Sequence, residues 1–185
     1  MKNPLSKIDT HLASEPEETN IGFSSVVKKL FLMLLIILAS ATLYAQVAVE
    51  LNSYLKQLNA SADPVLVDNA VHLESLIKEK HPGVYIRKAQ ITSGEVNPVC
   101  VNVNAGYVDA LKTMNQLSGK IELITIRLRS SADLNFILDL PNLVGFQKLK
   151  YVYFLFEFNA GIEETQKLFI PKPGITVLYK VSVPS

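Results

Sequence analysis

Two stretches decide the fold: residues 121–128 (Ile-Glu-Leu-Ile-Thr-Ile-Arg-Leu) and residues 149–156 (Leu-Lys-Tyr-Val-Tyr-Phe-Leu-Phe). In each, the most apolar side chains recur at every second position, which indicates a β-strand with one buried face. Two further stretches, centred on Val101 and Val177, repeat the pattern. The four centres lie 25, 28 and 23 residues apart, far enough for crossover connections between parallel strands.

The connections between these strands are predicted to be helical. Each carries apolar residues at helical spacing and then a glycine or a proline, which is typical of a helix and its end. The predicted helical residues are Tyr107, Val108, Leu111, Met114 and Leu117, then Leu134, Ile137 and Leu138, then Ile162, Leu168 and Phe169.

Residues 46–82 are predicted to be helical, in two helices near 47–58 and 64–80. Asp63 can cap the second helix, and Pro64 suits its first position. Residues 84–185 carry the repeated strands. The sequence therefore predicts one α/β domain over 46–185, in which N-terminal helices precede three strand–helix units and a final strand of a mainly parallel sheet.

The alternation assigns the strand residues to two faces. We expect the more apolar face to be buried in the core: Val99, Val101, Val103, Ile124, Ile126, Leu128, Val152, Phe154, Phe156, Phe158, Ile175, Val177, Tyr179 and Val181. The other face mixes polar and apolar side chains: Cys100, Asn102, Thr125, Arg127, Arg129, Tyr151, Tyr153, Leu155, Glu157, Thr176, Leu178 and Lys180.

Two stretches resemble the leucine-rich-repeat family. Ile121-x-x-Ile124-x-Ile126 and Leu149-x-x-Val152-x-Phe154 are similar to its Leu-x-x-Leu-x-Leu core, and the strand period lies in its range. The buried Asn of that family is replaced by Arg129 and Glu157. The resemblance covers about residues 98–183 and implies a short, degenerate solenoid that binds a partner without catalysis.

The mixed face gives the binding hypothesis. If it is open, this face is a recognition surface for a protein or a glycan, because Tyr, Arg and Leu are common at such surfaces. The binding residues would be Arg127, Arg129, Tyr153, Leu155 and Lys180. The alternative to the solenoid is a three-layer α/β domain in which the two N-terminal helices cover this face, as parallel sheets usually require.

An export signal precedes this domain. Lys28 and Lys29 lead into nine apolar residues, 30–38, and Ala45 supplies a small residue for cleavage before Gln46. Residues 27–45 resemble signal peptides of Gram-negative bacteria, and we expect residues 1–26 to be a disordered or wrongly assigned extension. The apolar run is too short to span a bilayer, so no stable membrane span is expected after cleavage.

Composition excludes several functions. Positive and negative residues nearly balance, 18 against 17, without a basic run, so nucleic acid is not an expected partner. No cysteine lies near the cleavage site, so we expect a periplasmic or extracellular protein that is not a lipoprotein. The histidines, His11, His72 and His81, have no metal-ligand spacing, and neither a metal nor a cofactor is expected.

Non-catalytic recognition is favoured over two alternatives. One is an exported hydrolase at the carboxyl ends of the strands, where Asn104, Asn159, Asp109 and Glu163 would lie. The other is a structural subunit of an envelope complex. Cys100 is interpreted as a small apolar strand residue rather than a nucleophile, since no base accompanies it in a recognisable pattern.

The export signal predicts the N-terminus of the mature protein. Cleavage after Ala45 leaves Gln46 first, and Ala39-Ser40-Ala41 offers the alternative cleavage after Ala41. We expect N-terminal sequencing of protein from the cell envelope to begin at Gln46. Recovery of envelope protein that still contains Lys28 would show a retained anchor, and a precursor peptide containing Glu15 would show that residues 1–26 are translated.

Overall fold

The computed structural model describes residues 47–87, 90–93, 97–114 and 118–183, and the two isolated helical positions Lys29 and Met33. The chain divides into two compact units, Met1–Ala41 and Thr42–Ser185, and the strands of the described residues belong to the second. The expected extension and signal peptide otherwise lie outside the described residues, as does Leu117 of the first predicted connection.

A seven-stranded sheet organises the second unit, which confirms the predicted α/β class with a mainly parallel sheet. In chain order the strands of the described residues are β1 Val49–Glu50, β2 Gly83–Arg87, β3 Gln90–Ser93, β4 Cys100–Asn104, β5 Leu123–Leu128, β6 Leu138–Asp139, β7 Tyr151–Phe156, β8 Phe169–Ile170 and β9 Thr176–Val181. The sheet order is β1-β9-β7-β5-β4-β2-β3, with parallel neighbours except for antiparallel β2 and β3. Strands β6 and β8 form a separate parallel pair.

Two N-terminal helices form near the predicted positions, although the first begins at Leu51 and Val49–Glu50, predicted to be helical, form a strand. Helix α1 is Leu51–Asn59, and the Glu50 carboxylate caps it by accepting from the Ser53 amide at 2.7 Å. Helix α2 is Pro64–Lys78, and Asp63 caps it by accepting from the Val65 amide at 2.9 Å. Strand β1, which joins the sheet directly before α1, was not predicted, because two residues are too few for a periodic signal.

The connections after β4, β5 and β7 differ from the predicted helices. Residues Ala105–Thr113 form a 3-10 segment with a kink at Tyr107, and Ser131–Leu134 form a single 3-10 turn. Leu138 and Phe169, expected in helices, lie in β6 and β8. Helix α3, Ile162–Gln166, is the one predicted connecting helix that forms among the described residues. Apolar runs this short fit either helix or strand, and here the β6–β8 pairing decides between them.

The main core lies between the sheet and these connections. It contains the inward residues of the four central strands, including Ile124, Ile126, Val152 and Phe154, none of which has measurable exposure. Four residues of the predicted buried set differ from the prediction. Phe158, Tyr179 and Val181 pack against this core but are only partly buried. Val99 precedes β4 and packs, partly buried, against the cluster on the opposite face.

A second apolar cluster covers the other face of the sheet. Its members come from α1, α2 and the strands: Leu51, Leu55, Leu58, Ala70, Leu73, Leu76, Cys100, Leu123, Tyr151, Tyr153 and Leu178. The arrangement is therefore the three-layer alternative, with the sheet between two layers, and the face expected to be open in a solenoid is partly covered. Both faces of a parallel sheet need cover, because its strands are apolar on both sides.

Polar contacts fix α2 at the amino-terminal edge of the sheet. The Glu122 carboxylate lies 3.0 Å from His72 Nε2 on α2 and 3.0 Å from Lys150 Nζ before β7. Burial alone would raise the pKa of Glu122, but these hydrogen bonds to Lys150 and His72 outweigh it and lower the pKa. None of the described helices has the length and hydrophobicity to cross a bilayer.

Candidate sheet-face groove

The strand register arranges the second face of the sheet in rows. The first row is Gly83, Cys100, Leu123, Tyr151 and Thr176; the second is Tyr85, Asn102, Thr125, Tyr153 and Leu178. In the third, Asn104, Arg127, Leu155 and Lys180 lie side by side, and Arg87 ends β2 next to them. Successive rows are about 7 Å apart, since alternate residues of a strand share a face.

Helices α1 and α2 cover these rows unequally. Cys100, Leu123 and Tyr151 of the first row are buried, whereas Arg87 and Arg127 of the third are exposed. The second row is divided, because Tyr153 is 5% exposed and Tyr85 is 43% exposed. The sheet face is therefore open toward the carboxyl ends of β2, β4 and β5.

Two adjoining cavities occupy the open part. The larger, about 360 Å³, runs from the end of α2 onto the sheet and is lined by Leu76, Ile77, Glu79, Lys80, His81, Tyr85, Cys100, Asn102, Leu123, Thr125, Arg127, Tyr153 and Leu155. The smaller, about 60 Å³, is lined by Tyr85, Arg87, Asn102, Val103, Asn104, Thr125, Arg127 and Arg129. Four residues line both cavities, so we treat them as one feature, the sheet-face groove.

The smaller cavity is cationic. Arg87, Arg127 and Arg129 all line it, and Arg127 lies 3.3 Å from the Glu157 carboxylate. Among the described residues, Arg87 and Arg129 have no carboxylate within ion-pair distance. The Arg87 guanidinium lies 5.7 Å from the centre of the Tyr85 ring, a cation–π contact that orients it at the cavity. Three guanidinium groups and one carboxylate leave an excess of positive charge.

The five residues of the binding hypothesis take different positions. Arg127 and Leu155 line the larger cavity, and Arg129 lines the smaller one. Tyr153 also lines the larger cavity but packs in the second cluster, and burial together with the Glu50 charge raises its pKa to about 12 against the opposing effect of Arg127. Lys180 lines neither cavity. At the start of α1, burial opposes the lowering of the Glu50 pKa, hydrogen bonds from Asn52 and Ser53 produce it, and the Lys180 charge adds a smaller contribution.

Several groove residues were not singled out from the sequence. Tyr85 and Arg87 come from β2, which had only a weak periodic signal, and Asn104 was assigned to the strand-end alternative. A search for polar side chains at matching positions of neighbouring strands would have found Asn102 and Thr125, which the alternation already placed on this face. The α2 residues could not be found in this way, because their approach depends on tertiary packing.

The strand-end alternative is not assembled as one site. Asn104 lines the sheet-face groove, whereas Asp109 lines a separate cavity with Asp133 and accepts from Lys112 Nζ at 2.7 Å. Asp133 accepts from the Arg129 and Ser130 amides, which is a capping role, and Asn159 and Glu163 are exposed. Within the described ranges, no group of three or more His, Cys, Asp or Glu side chains could hold a metal ion.

Cys100 lies at the floor of the larger cavity. Its Sγ is 3.7 Å from the Leu76 carbonyl oxygen of α2, and the residue is 6% exposed. Burial, and to a smaller extent the Glu122 charge, raises the pKa of this thiol to about 11. A protonated thiol is a poor nucleophile, so the structure supports a packing role for Cys100.

Comparisons with known proteins add no assignment, because no protein-family model, curated protein or solved structure matches this chain.

The raised pKa predicts that the Cys100 thiol reacts slowly in the folded protein. When the pKa of a thiol rises from near 8.5 to near 11, the fraction present as thiolate at pH 8 falls by roughly a hundredfold. The reaction of Cys100 with an aromatic disulfide reagent should slow by the same factor. We expect the folded protein to react about a hundredfold more slowly than the same protein unfolded in urea. The Cys100→Ser variant, which has no thiol, gives the background signal. Equal rates in both conditions would contradict the buried, protonated thiol.

Proposed function

We propose that this protein is an exported, non-catalytic recognition protein that binds an anionic partner in the sheet-face groove. The observation that carries the proposal is the convergence of Arg87, Arg127 and Arg129 on one small cavity, where, among the described residues, Glu157 is the one carboxylate within ion-pair distance of these guanidinium groups. Charged groups of one sign in a cleft attract a partner of the opposite sign and favour its correct orientation.

The chemistry of the groove supports binding rather than catalysis. A guanidinium group stays charged at any pH that proteins tolerate, so it can hold a carboxylate but does not transfer protons. Among the ionisable groups of the larger cavity, the Cys100 thiol has a pKa raised to about 11, and Glu79 and His81 are both hydrogen-bonded to the Ser75 hydroxyl. The remaining polar side chains on the floor, Asn102, Asn104 and Thr125, are hydrogen-bonding groups that suit orientation of a ligand.

Export supports a partner outside the cytoplasm. The stretch from Lys28 to Ala45 has the layout of a secretory signal, and a single cysteine gives no internal disulfide to stabilise the exported domain. We propose that the partner is a component of the envelope or of the extracellular medium.

The proposal predicts that two arginines are needed for partner capture. The double variant Arg87→Gln/Arg129→Gln removes the two charges without a carboxylate partner and should keep the fold, since surface substitutions usually change stability by under about 0.5 kcal/mol. We expect the protein to retain an acidic component from envelope extract, to release it at high salt, and to lose it in this variant.

A matched control separates this effect from net charge. Lys148→Gln/Lys167→Gln also removes two exposed positive charges, but from segments that flank the main core on the other side of the sheet. We expect the control to retain the same component as the unmodified protein. Identical bound components for all three proteins would refute recognition by the arginines.

A further inference from the structure

The groove combines two different environments in one continuous space. The part beneath the end of α2 has four large apolar side chains, Leu76, Ile77, Leu123 and Leu155, beside the polar Glu79, Lys80 and His81, and the part at the strand ends has three arginines. Tyr85, Asn102, Thr125 and Arg127 line both parts, so one ligand can occupy both. A ligand that fills both parts needs an apolar group and an anionic group that both face the groove.

The row spacing sets the distance between these two groups. The strand residues among these apolar side chains run from Leu123 in the first row to Leu155 in the third, so their midpoint lies near the second row. The arginines lie in the third row or beyond it. Adjacent rows are about 7 Å apart, which is also the distance between side chains i and i+2 of an extended peptide on one side. An apolar residue and an acidic residue separated by one position would therefore match the two parts of the groove.

The floor between the two parts favours a peptide. Asn102, Asn104 and Thr125 are half-buried, and their side chains have no hydrogen-bond partner among the described residues. Amide and hydroxyl groups can donate to and accept from a peptide backbone, and a purely apolar carboxylic acid would leave them without partners. The cationic part, at about 60 Å³, has room for a few water molecules, which is the scale of a carboxylate.

We propose that the sheet-face groove binds an extended acidic peptide in which a large apolar residue and an Asp or Glu are separated by one residue. This inference deepens the proposed function, on which it rests. The apolar side chain enters the 360 Å³ cavity under α2, the carboxylate meets Arg87, Arg127 and Arg129, and the backbone between them lies over Asn102 and Thr125.

The test uses the isotope-labelled protein, recovered as the cell exports it, titrated with short peptides and followed by amide chemical shifts. The probes are acetyl-Ala-Phe-Ser-Asp-Ala-amide and its reverse, acetyl-Ala-Asp-Ser-Phe-Ala-amide, because the groove geometry does not fix the chain direction. We expect one of them to shift amides of β4 and β5. Replacing its Asp by Asn, or its Phe by Ser, should weaken binding about tenfold, as expected for one charge-assisted contact or one buried apolar group.

Protein variants and a small acid complete the test. Arg87→Gln/Arg129→Gln should weaken the better peptide about tenfold, and Lys148→Gln/Lys167→Gln should not. Equal binding of the Asp and Asn peptides, or no shift with either direction, would overturn the peptide proposal. Binding of 3-phenylpropanoate as tight as that of the peptide would overturn it in favour of a small carboxylic acid.

The two proposals fail in different ways. If no peptide binds while the envelope component is still captured through Arg87 and Arg129, anion recognition stands and the peptide class is wrong. If the variant captures the envelope component unchanged, recognition by the arginines itself is wrong.

Discussion

The packing of α2 against the first row of the sheet is the contact on which the rest of the site depends. Ala70, Leu73 and Leu76 bury one side of the helix against Cys100 and Leu123. Burial of a large apolar side chain contributes about 1.5–3 kcal/mol, so this contact holds the helix at one position on the sheet. Because α2 ends at Lys78 while the strands extend further, the same contact leaves the strand ends uncovered.

The charges follow the same division. On the covered side, the Glu122 carboxylate meets His72 and Lys150, so the negative charge beneath α2 is paired. On the open side, Glu157 pairs with Arg127, and Arg87 and Arg129 have no carboxylate within ion-pair distance among the described residues. A surface cluster of like charges destabilises the folded protein, because the charges repel each other. A bound ligand of opposite charge offsets this repulsion. The distribution of charge therefore points to the same region as the shape of the groove.

Much of the architecture follows from local patterns in the sequence. Alternation placed Val101, Ile126, Phe154 and Val177 in parallel strands, and Asp63 with Pro64 marked the start of α2, both as the structure has them. Strand alternation and the helix-start pattern are reliable because each depends only on residues that are close together in the sequence. The connections could not be predicted equally well, since Leu138 and Phe169 enter strands through pairing with each other over a separation of about thirty residues.

The site was only partly predictable for a related reason. Periodicity assigned Arg127, Arg129 and Leu155 to one face, but it could not show which rows of that face the helices would cover. Tyr153 and Lys180 share the face but differ from the exposed residues. Tyr153 lines the larger cavity while it is buried in the second cluster, and Lys180 lines neither cavity.

Hydroxyl-radical footprinting of three tyrosines tests the central claim, that the helices cover one part of the sheet face and leave the other open. Tyr85, Tyr151 and Tyr153 point to the same face, with Tyr85 43% exposed and the other two 5% exposed. We expect Tyr85 to be oxidised in the folded protein nearly as fast as in urea, and Tyr151 and Tyr153 to be strongly protected. Comparable oxidation of all three in the folded protein would show that the helices do not cover the sheet, and the groove would not exist as described.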